Sequence, residues 1–414
     1  MKIDKIFNAT DLRSTISRRT LMKASAVFAF SCVTLKAVVG LSGRKTLAYV
    51  GTDTSPVDGT ANGKGIYLFE MDSATGELSL IKLVAQTANP TWITVHPSGS
   101  YLYASNEVSD YKGKSGSVSA FAIDRASGDL QFLNTVDSQG ASPAYLSIDD
   151  SGRYAFVANY FGGSIAVLPI LPNGMLGPAV DVHQDEGHLG SESAASRPDG
   201  SFAISGHDAP HAHMIRLDPS NRFALQTDLG QDRIYVYRFD RATGRLSPGA
   251  LPFVAVPSGN GPRHFAFHPN GKWMYSVQEE ASNITFFLFD PETGALHPEQ
   301  TVSALPHGFT GTNFCSEIML SEDGSFLYAA NRLHNSIAVF RVGPRGLLSR
   351  VGEAMTLGDY PSHFNLDPSG NFLYVCNQRS DQITSFRINK ATGLLRFTGQ
   401  YVPIGTPLCI TFLT

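Results

Sequence analysis

A turn that recurs six times, each time at the same distance from a small polar residue, is the feature that most restricts the fold. Each copy begins with a four-residue turn of the His-Pro-Asn-Gly type, and the polar residue follows ten positions after the turn begins. The segment between them is rich in aromatic residues and alternates in polarity, which is typical of a β-strand. The turns begin at His96, Asp149, Asp218, His268, Ser321 and Asp367, and the polar residues are Asn106, Asn159, Asp228, Gln278, Asn331 and Asn377. The constant offset predicts a tandem repeat of β-hairpins.

A second turn, of the form x-Gly-x-Leu, occurs seven times, once more than the first turn. The two ends of the chain explain the difference. The last segment, "PLCITFLT" (407–414), matches a first strand such as "PTWITVHP", and "TLAYVGTDT" (46–54) matches a second strand such as "SYLYASNE". We therefore predict an all-β, seven-bladed β-propeller whose ring is closed when the C-terminal strand joins the first blade. A pair of β-sandwiches is the alternative, but it predicts irregular Greek-key spacing.

Composition excludes some classes of function. The 414 residues include 39 glycines and only 16% charged residues, which favours many tight turns over long charged helices. The formal net charge is −4 and the body has no block of Lys or Arg, so nucleic acid is not an expected partner. No segment of the body is long and apolar enough to cross a bilayer.

The N-terminus differs from the body. The sequence "SRRTLMK" (17–23) precedes the apolar run "ASAVFAFSCVTL" (24–35), which resembles a twin-arginine export signal. A short anchor or a buried helix is the alternative. We expect residues 1–43 to be this signal with a short linker and residues 44–414 to be the propeller domain. The expected location is periplasmic or otherwise extracytoplasmic, with the twin-arginine export machinery as a partner and no stable membrane span after export.

Three cysteines lie in the body, at Cys315, Cys376 and Cys409. Their wide spacing fits neither a disulfide framework nor a metal knuckle. We expect buried free thiols, with a Cys376–Cys409 or Cys315–Cys376 pair as the alternative.

Two sets of positions should meet at one rim of the ring, because each first strand begins where the second strand ends. A position that is alike in every unit serves the scaffold, and we assign the repeated small polar residues to that class. The residues five positions before each turn vary: Thr91, Ala144, His213, Arg263, Ser316, Ser362 and, in the closing unit, Leu408. The residues after the small polar position also vary: Asp53, Glu107, Tyr160, Leu229, Glu279, Arg332 and Gln378.

Four of these variable residues suit chemistry on an anionic substrate. The Arg263 and Arg332 guanidiniums can bind a carboxylate or phosphate, while Glu279 and His213 can move protons or activate water. We predict Glu279, His213 and Arg263 as catalytic residues. The predicted substrate-binding residues are Arg332, Arg263, Glu107, Tyr160 and His211. A structural ion pair in the channel is the alternative, and nearby arginines would weaken Glu279 as a base, leaving His213 in that role.

The chain resembles the seven-bladed propeller lactonases, a family that includes bacterial 6-phosphogluconolactonase. Fungal 3-carboxy-cis,cis-muconate cyclase belongs to the same superfamily. The resemblance covers residues 46–414, and its most specific segments include "PHAHMIRLDPSNR", "GPRHFAFHPNGKWMYSVQE" and "SEIMLSEDGSFLYAANR". It implies hydrolysis of a lactone without metal or cofactor, and it places the family's proposed site on His213, Arg263, Glu279 and Arg332.

Two departures from the family affect the expected substrate. The segment 183–209 is longer and less regular than the family pattern. Export also conflicts with phosphorylated sugar lactones, which are cytoplasmic, and would favour a non-phosphorylated lactone or a carboxylated cyclic acid. A cycloisomerase of the muconate cyclase type and a non-catalytic exported binding propeller remain alternatives, as does a metal site at His207, His211 and His213.

Overall fold

A computed structural model describes residues 45–55, 61–203 and 206–413. Within these ranges, thirty β-strands form seven four-stranded antiparallel sheets and one two-stranded sheet. The seven-bladed propeller is therefore confirmed. No helix in the described ranges is long and apolar enough to span a membrane. The proposed export signal at 1–43 lies outside the described residues.

The blades follow one another along the chain, and in each the strand order from the channel outwards is as follows. Blade 1 contains β30 (Pro407–Phe412), β1 (Lys45–Thr52), β2 (Ile66–Asp72) and β3 (Leu78–Ala85). Blade 2 contains β4 (Pro90–Val95), β5 (Tyr101–Tyr111), β6 (Ser115–Ile123) and β7 (Leu130–Asp137). Blade 3 contains β8 (Pro143–Ile148), β9 (Tyr154–Asn159), β10 (Ser164–Pro169) and β11 (Asp181–Gln184).

Blade 4 contains β13 (Ala212–Leu217), β14 (Phe223–Asp228), β15 (Arg233–Asp240) and β16 (Arg245–Ala255). Blade 5 contains β17 (Pro262–Phe267), β18 (Trp273–Gln278), β19 (Asn283–Phe289) and β20 (Leu296–Ser303). Blade 6 contains β22 (Cys315–Leu320), β23 (Phe326–Asn331), β24 (Ser336–Val342) and β25 (Leu348–Met355). Blade 7 contains β26 (Pro361–Leu366), β27 (Phe372–Asn377), β28 (Gln382–Ile388) and β29 (Leu395–Pro403). The two-stranded sheet pairs β12 (Ser201–Phe202) with β21 (Gly311–Thr312).

The C-terminal strand closes the ring. Strand β30 pairs antiparallel with β1, from Ala48 opposite Phe412 to Thr52 opposite Pro407. The first strands of neighbouring blades contact one another around the ring, β30 with β4 and β26 included, so they line the central channel. The predicted closure is confirmed.

Tyrosine hydroxyls link one blade to the next. In five blades the residue three positions before the small polar residue is a tyrosine, and its hydroxyl donates to the glycine carbonyl in the outer turn of the following blade. Five such bonds of 2.8–3.1 Å are Tyr49–Gly128, Tyr103–Gly174, Tyr275–Gly346, Tyr328–Gly393 and Tyr374–Gly76. The last of them joins blade 7 to blade 1, so it also closes the ring. Each of these tyrosines is fully buried.

The repeated small polar residues make the structural contacts that we expected of scaffold residues. All of them are buried, and they bond strand ends or connections. For example, Asn331 donates to the carbonyl of Ala304 at 3.0 Å, and Asn159 donates to that of Ser138 at 2.9 Å. The three body cysteines are buried and unpaired, as expected.

We expect Tyr374→Phe to lower the free energy of unfolding by about 1–3 kcal/mol, because it leaves the buried Gly76 carbonyl without its donor. A phenyl ring fits this position, since Phe156 occupies the equivalent site in blade 3. Denaturant unfolding measures the change, with Tyr401→Phe, at a residue that is 51% exposed, as the control. Equal stability of the two variants would contradict the role of the hydroxyl.

Candidate active site

The variable residues at the start of the first strands sit in β-bulges. In blades 2 to 7 the register of the inner pair shifts at the second residue of the first strand, so that residue has no partner in the ladder. A bulge bends the strand locally and re-aims one side chain. The second residues are Thr91, Ala144, His213, Arg263, Ser316 and Ser362. Two predicted site residues, His213 and Arg263, are therefore bulge residues.

Glu279 joins two guanidiniums from neighbouring blades. Its Oε2 lies 2.9 Å from Nε of Arg263, and its Oε1 lies 2.5 Å from Nη2 of Arg332. The three side chains are only 11–14% exposed. The Arg263 contact is a close ion pair rather than a directed hydrogen bond, because its Nε–H has no aligned acceptor. Two cations share one carboxylate, so the cluster keeps a net positive charge.

Backbone carbonyls hold the two guanidiniums in place. Arg263 donates from Nη1 to the carbonyl of Ser316 at 2.7 Å. Arg332 donates from Nη2 to the carbonyl of Cys315 and from Nη1 to the hydroxyl of Tyr360, both at 3.3 Å. These contacts span blades 5, 6 and 7, so the positions of the cations depend on the ring as a whole.

His213 lies beside this cluster as a neutral imidazole. Burial lowers its pKa well below the usual value, and the charges of Arg263 and Arg332 lower it further. Its Nδ1 is buried and has no hydrogen-bond partner in the described part of the chain. A buried polar atom without a partner is costly and calls for an explanation.

Glu107 and Tyr160 face the same group of charges from blades 2 and 3. Burial raises the pKa of Glu107 to about 7, with Asp53 adding to the rise and Arg263 opposing it. The side chain keeps some solvent access at the mouth, although the atoms around it desolvate the carboxyl. The ring of Tyr160 meets that of His213 edge-on at 5.3 Å. A carboxyl with a pKa near 7 can exchange protons at neutral pH.

A layer of rings and one carboxylate forms the floor of the site. Glu317 Oε2 lies 3.2 Å from Nδ1 of His264 and 3.6 Å from Nε2 of His363. The indole of Trp92 meets both imidazoles edge-on, at 5.5 and 5.1 Å. Burial lowers the pKa of His363 to about 4 and raises that of Glu317. The floor residues follow directly after the bulge position in each first strand.

Below this floor, a cavity of about 880 Å³ opens at the opposite face of the ring. Glu317, His363 and Trp92 form its upper wall, and the turns of the first hairpins surround its entrance. None of the predicted catalytic or substrate-binding residues lines it. The charged cluster and this cavity are therefore on opposite sides of the floor.

The long segment between blades 3 and 4 runs over the rim that carries the cluster. Its strand β12 pairs with β21, which precedes blade 6, and Ser196 accepts from Asn283 of blade 5 at 3.2 Å through its carbonyl. His207 then binds Glu280 Oε2 through Nδ1 at 2.8 Å and Asp232 Oδ1 through Nε2 at 3.1 Å. Burial disfavours a charged His207, but the bonds to the two carboxylates outweigh it and raise its pKa to about 9. The segment is thus fixed beside Glu279 by a buried imidazolium.

Residues 47–412 match the family model described as "Lactonase, 7-bladed beta-propeller". The chain belongs to the seven-bladed β-propeller lactonase family. The match spans every blade, including the strand that closes the ring.

Several relatives of this lactonase-family chain are of similar length. A 6-phosphogluconolactonase of Bacillus subtilis is 32% identical over 373 residues, covering 89% of this chain and 99% of that relative. The solved structure of a periplasmic gluconolactonase from Pseudomonas aeruginosa has a TM-score of 0.78 at 30% identity, covering 89% of this chain and 99% of that one. A solved protein from Lactobacillus plantarum has a TM-score of 0.79 at 32% identity, covering 89% and 100%.

The structure brings together most residues that the sequence of this family member singled out. Glu279, Arg263 and Arg332 are in direct contact, and His213, Tyr160 and Glu107 surround them. His211 is already engaged: it stacks on Tyr160 at 4.3 Å and its Nε2 lies 2.9 Å from Asp208. In the described ranges no group of three His, Cys, Asp or Glu side chains is arranged to hold a metal ion. His207, His211 and His213 have separate sets of partners.

The sequence analysis did not identify the floor residues His264, Glu317 and His363. It also did not identify the imidazolium clamp, the pairing of His207 with two carboxylates that fixes the long segment to the rim. His264, Glu317 and His363 occupy the position after the bulge, which also varies between blades, so the same comparison of repeats could have found them. The pairing of His207 with Asp232 and Glu280 had no such signal, because His207 lies in a segment that has no counterpart in the other blades.

We expect His207→Gln to destabilise the protein by about 3 kcal/mol below pH 6.5, since a rise in pKa from 6.5 to about 9 corresponds to that free energy. The raised pKa stabilises the fold below the unfolded pKa, and this contribution is lost as pH rises through about 9. The difference between wild type and variant should therefore shrink as the pH rises from 6.5 to about 9 and stay small above that. Unfolding at pH 6 to 10 measures it, with the exposed His188→Gln as control. A pH-independent difference would refute the imidazolium clamp.

Proposed function

We propose that this protein is a lactone hydrolase that acts on an anionic lactone. The observation that carries the proposal is the placement of Arg263 and Arg332, held by Glu279, beside a neutral His213 and a Glu107 whose pKa is about 7. Cations that are fixed where negative charge develops stabilise the tetrahedral intermediate of acyl transfer. The names of the Bacillus subtilis and Pseudomonas aeruginosa relatives support the same class of reaction.

In the proposed reaction, water attacks the lactone carbonyl carbon and the guanidiniums stabilise the oxyanion. We assign removal of the water proton to Glu107, because both oxygens of Glu279 already bind guanidiniums. We assign to the neutral imidazole of His213, whose Nδ1 has no partner in the described ranges, a hydrogen bond to the water or the ring oxygen. The C–O bond of the ring then breaks, and the proton passes to the departing ring oxygen. The product is an open-chain hydroxy acid.

We expect Glu279→Gln to lower kcat by about 10²–10³-fold, the range for loss of one contribution to stabilisation of the oxyanion, because Glu279 holds both guanidiniums in position. Losing the charge between two buried guanidiniums also disturbs their positions. Lactone opening under substrate saturation measures the effect, and Glu299→Gln, on the exposed face of β20, is the control. Activity within twofold of wild type would remove Glu279 from the site. Ring closure of a muconate-type acid by the same sample would instead support a cycloisomerase.

The pH profile distinguishes the roles of the two carboxylates. If Glu107 is the base, its ionised form is active, so kcat/KM should rise with pH through about 7. Glu107→Gln should lower the rate and abolish this limb, whereas Glu279→Gln should lower the rate and keep it. A limb near pH 7 that persists in Glu107→Gln would assign the proton to another group.

We also propose that the protein is exported by the twin-arginine route, on the strength of Arg18, Arg19 and the apolar run after them. Replacing both arginines by lysine should leave the lactonase in the cytoplasm. Cell fractionation with an antibody to the propeller measures this. Normal export of the double variant would exclude the twin-arginine route.

A further inference from the structure

The rim of blade 7 carries a strained aromatic residue. Two positions before the bulge residue, or its blade 1 counterpart, five blades have a backbone in the left-handed region: Asn89 (φ 43°), Ser142 (52°), Gly261 (66°), Tyr360 (61°) and Thr406 (38°). Four of these side chains are small, whereas the fifth is a tyrosine. A bulky residue with positive φ is an outlier, and such strain tends to persist where it serves a function.

The ring of Tyr360 lies between the charged cluster and a second cation. Arg332 donates to its hydroxyl at 3.3 Å, and the guanidinium carbon of Arg332 is 5.2 Å from the ring centroid. The guanidinium carbon of Arg379 is 3.8 Å from the same centroid, a close cation–π contact. Because the tyrosine oxygen accepts from Arg332, its own O–H is free to donate to a ligand.

Arg379 has no counterpart in the other blades, and it forms no ion pair with an acidic side chain of the described residues. The equivalent residues, two positions after the small polar residue, are Thr54, Val108, Phe161, Gly230, Glu280 and Leu333. Arg379 is exposed, and among the described residues no carboxylate lies within 4.0 Å of it. Arg263 and Arg332 differ, since both bind Glu279. Arg379 is thus a cation that stacks on Tyr360 at the edge of the site and forms no ion pair within the described residues.

We propose that Arg379 and Tyr360 form a subsite for an anionic group of the substrate that lies away from the lactone carbonyl, so that the protein prefers lactones bearing a phosphate or a carboxylate to neutral ones. This rests on the proposed lactone hydrolysis. The carbonyl being attacked occupies the Arg263–Arg332 pair, and the distal anion binds Arg379 and the Tyr360 hydroxyl. A guanidinium that stacks on an aromatic ring is already oriented, so less entropy is lost when the anion binds.

Three lactones test the subsite: 6-phosphogluconolactone, glucaro-1,4-lactone, which carries a carboxylate, and the neutral glucono-1,5-lactone. Arg379→Gln should lower kcat/KM for one or both anionic lactones by about tenfold or more, the worth of a charged hydrogen bond. It should change the rate with the neutral lactone by less than twofold. Arg345→Gln, at an exposed arginine on the opposite face, should change none of them. Equal losses on all three lactones, or no loss on the anionic ones, would overturn the subsite.

Tyr360→Asn separates binding from folding. Asparagine tolerates the left-handed backbone, so the variant should fold with a melting temperature at or above that of wild type. It should still lose the preference for the anionic lactone. A variant that keeps the preference would show that the ring is only structural.

Calorimetric titration with open-chain acids measures binding to the subsite without catalysis. It therefore tests the subsite even if the protein opens no lactone. Wild type should bind 6-phosphogluconate or glucarate at least tenfold more tightly than gluconate. Arg379→Gln should lose that difference, while Arg345→Gln should keep it. Equal binding of the three acids by wild type would refute the subsite independently of catalysis.

Discussion

Closure of the ring is the constraint on which the rest of the structure depends. A four-stranded blade has open edges and buries little apolar surface by itself, so its stability comes from packing against its two neighbours. The buried tyrosine hydroxyls add directional hydrogen bonds between blades, because each hydroxyl donates to a carbonyl in the next blade around the ring. Strand β30 and the Tyr374–Gly76 bond join the last blade to the first. Residues far apart in sequence, such as Glu107 and Arg332, are thereby held at one mouth.

The closed ring also holds the partners that allow charged side chains to be buried at the mouth. Buried charges are costly unless they are paired and hydrogen-bonded. Glu279 pairs with Arg263 and Arg332, backbone carbonyls bind both guanidiniums, and the floor beneath holds histidines whose pKa values are lowered by burial. Neutral imidazoles under a cationic pair add no further repulsion. The positive charge is therefore concentrated on the side of the floor that faces the mouth.

Much of the fold could be predicted from the sequence because the turn and strand motifs recur in every blade. Six copies of one turn and seven of another determine the number of blades, and the half-unit at each end implies closure. The same comparison identified Arg263 and Glu279 as departures from the repeat. It could not place His207, whose role depends on Asp232 and Glu280 and on a segment unique to one connection. Nor could it show that Tyr360 adopts a left-handed backbone, since the four equivalent residues that share this conformation are small and suggest only a turn.

The bulge at the start of each first strand affects which amino-acid substitutions the mouth of the channel can accept during evolution. The residue in the bulge contributes no ladder pair, so the ladder of the sheet does not require a particular side chain there. The hydroxyls of Ser316 and Ser362 are different, since each donates to a backbone carbonyl of the next blade. Thr91, Ala144, His213, Arg263, Ser316 and Ser362 show how different the occupants can be. Leu408 of blade 1 is likewise skipped by the ladder, so all seven blades offer one such position at the mouth. A combinatorial library that keeps Ser316 and Ser362 would vary the chemistry of the mouth while leaving the ladder bonds of the ring intact, which makes the scaffold a favourable starting point for new hydrolases.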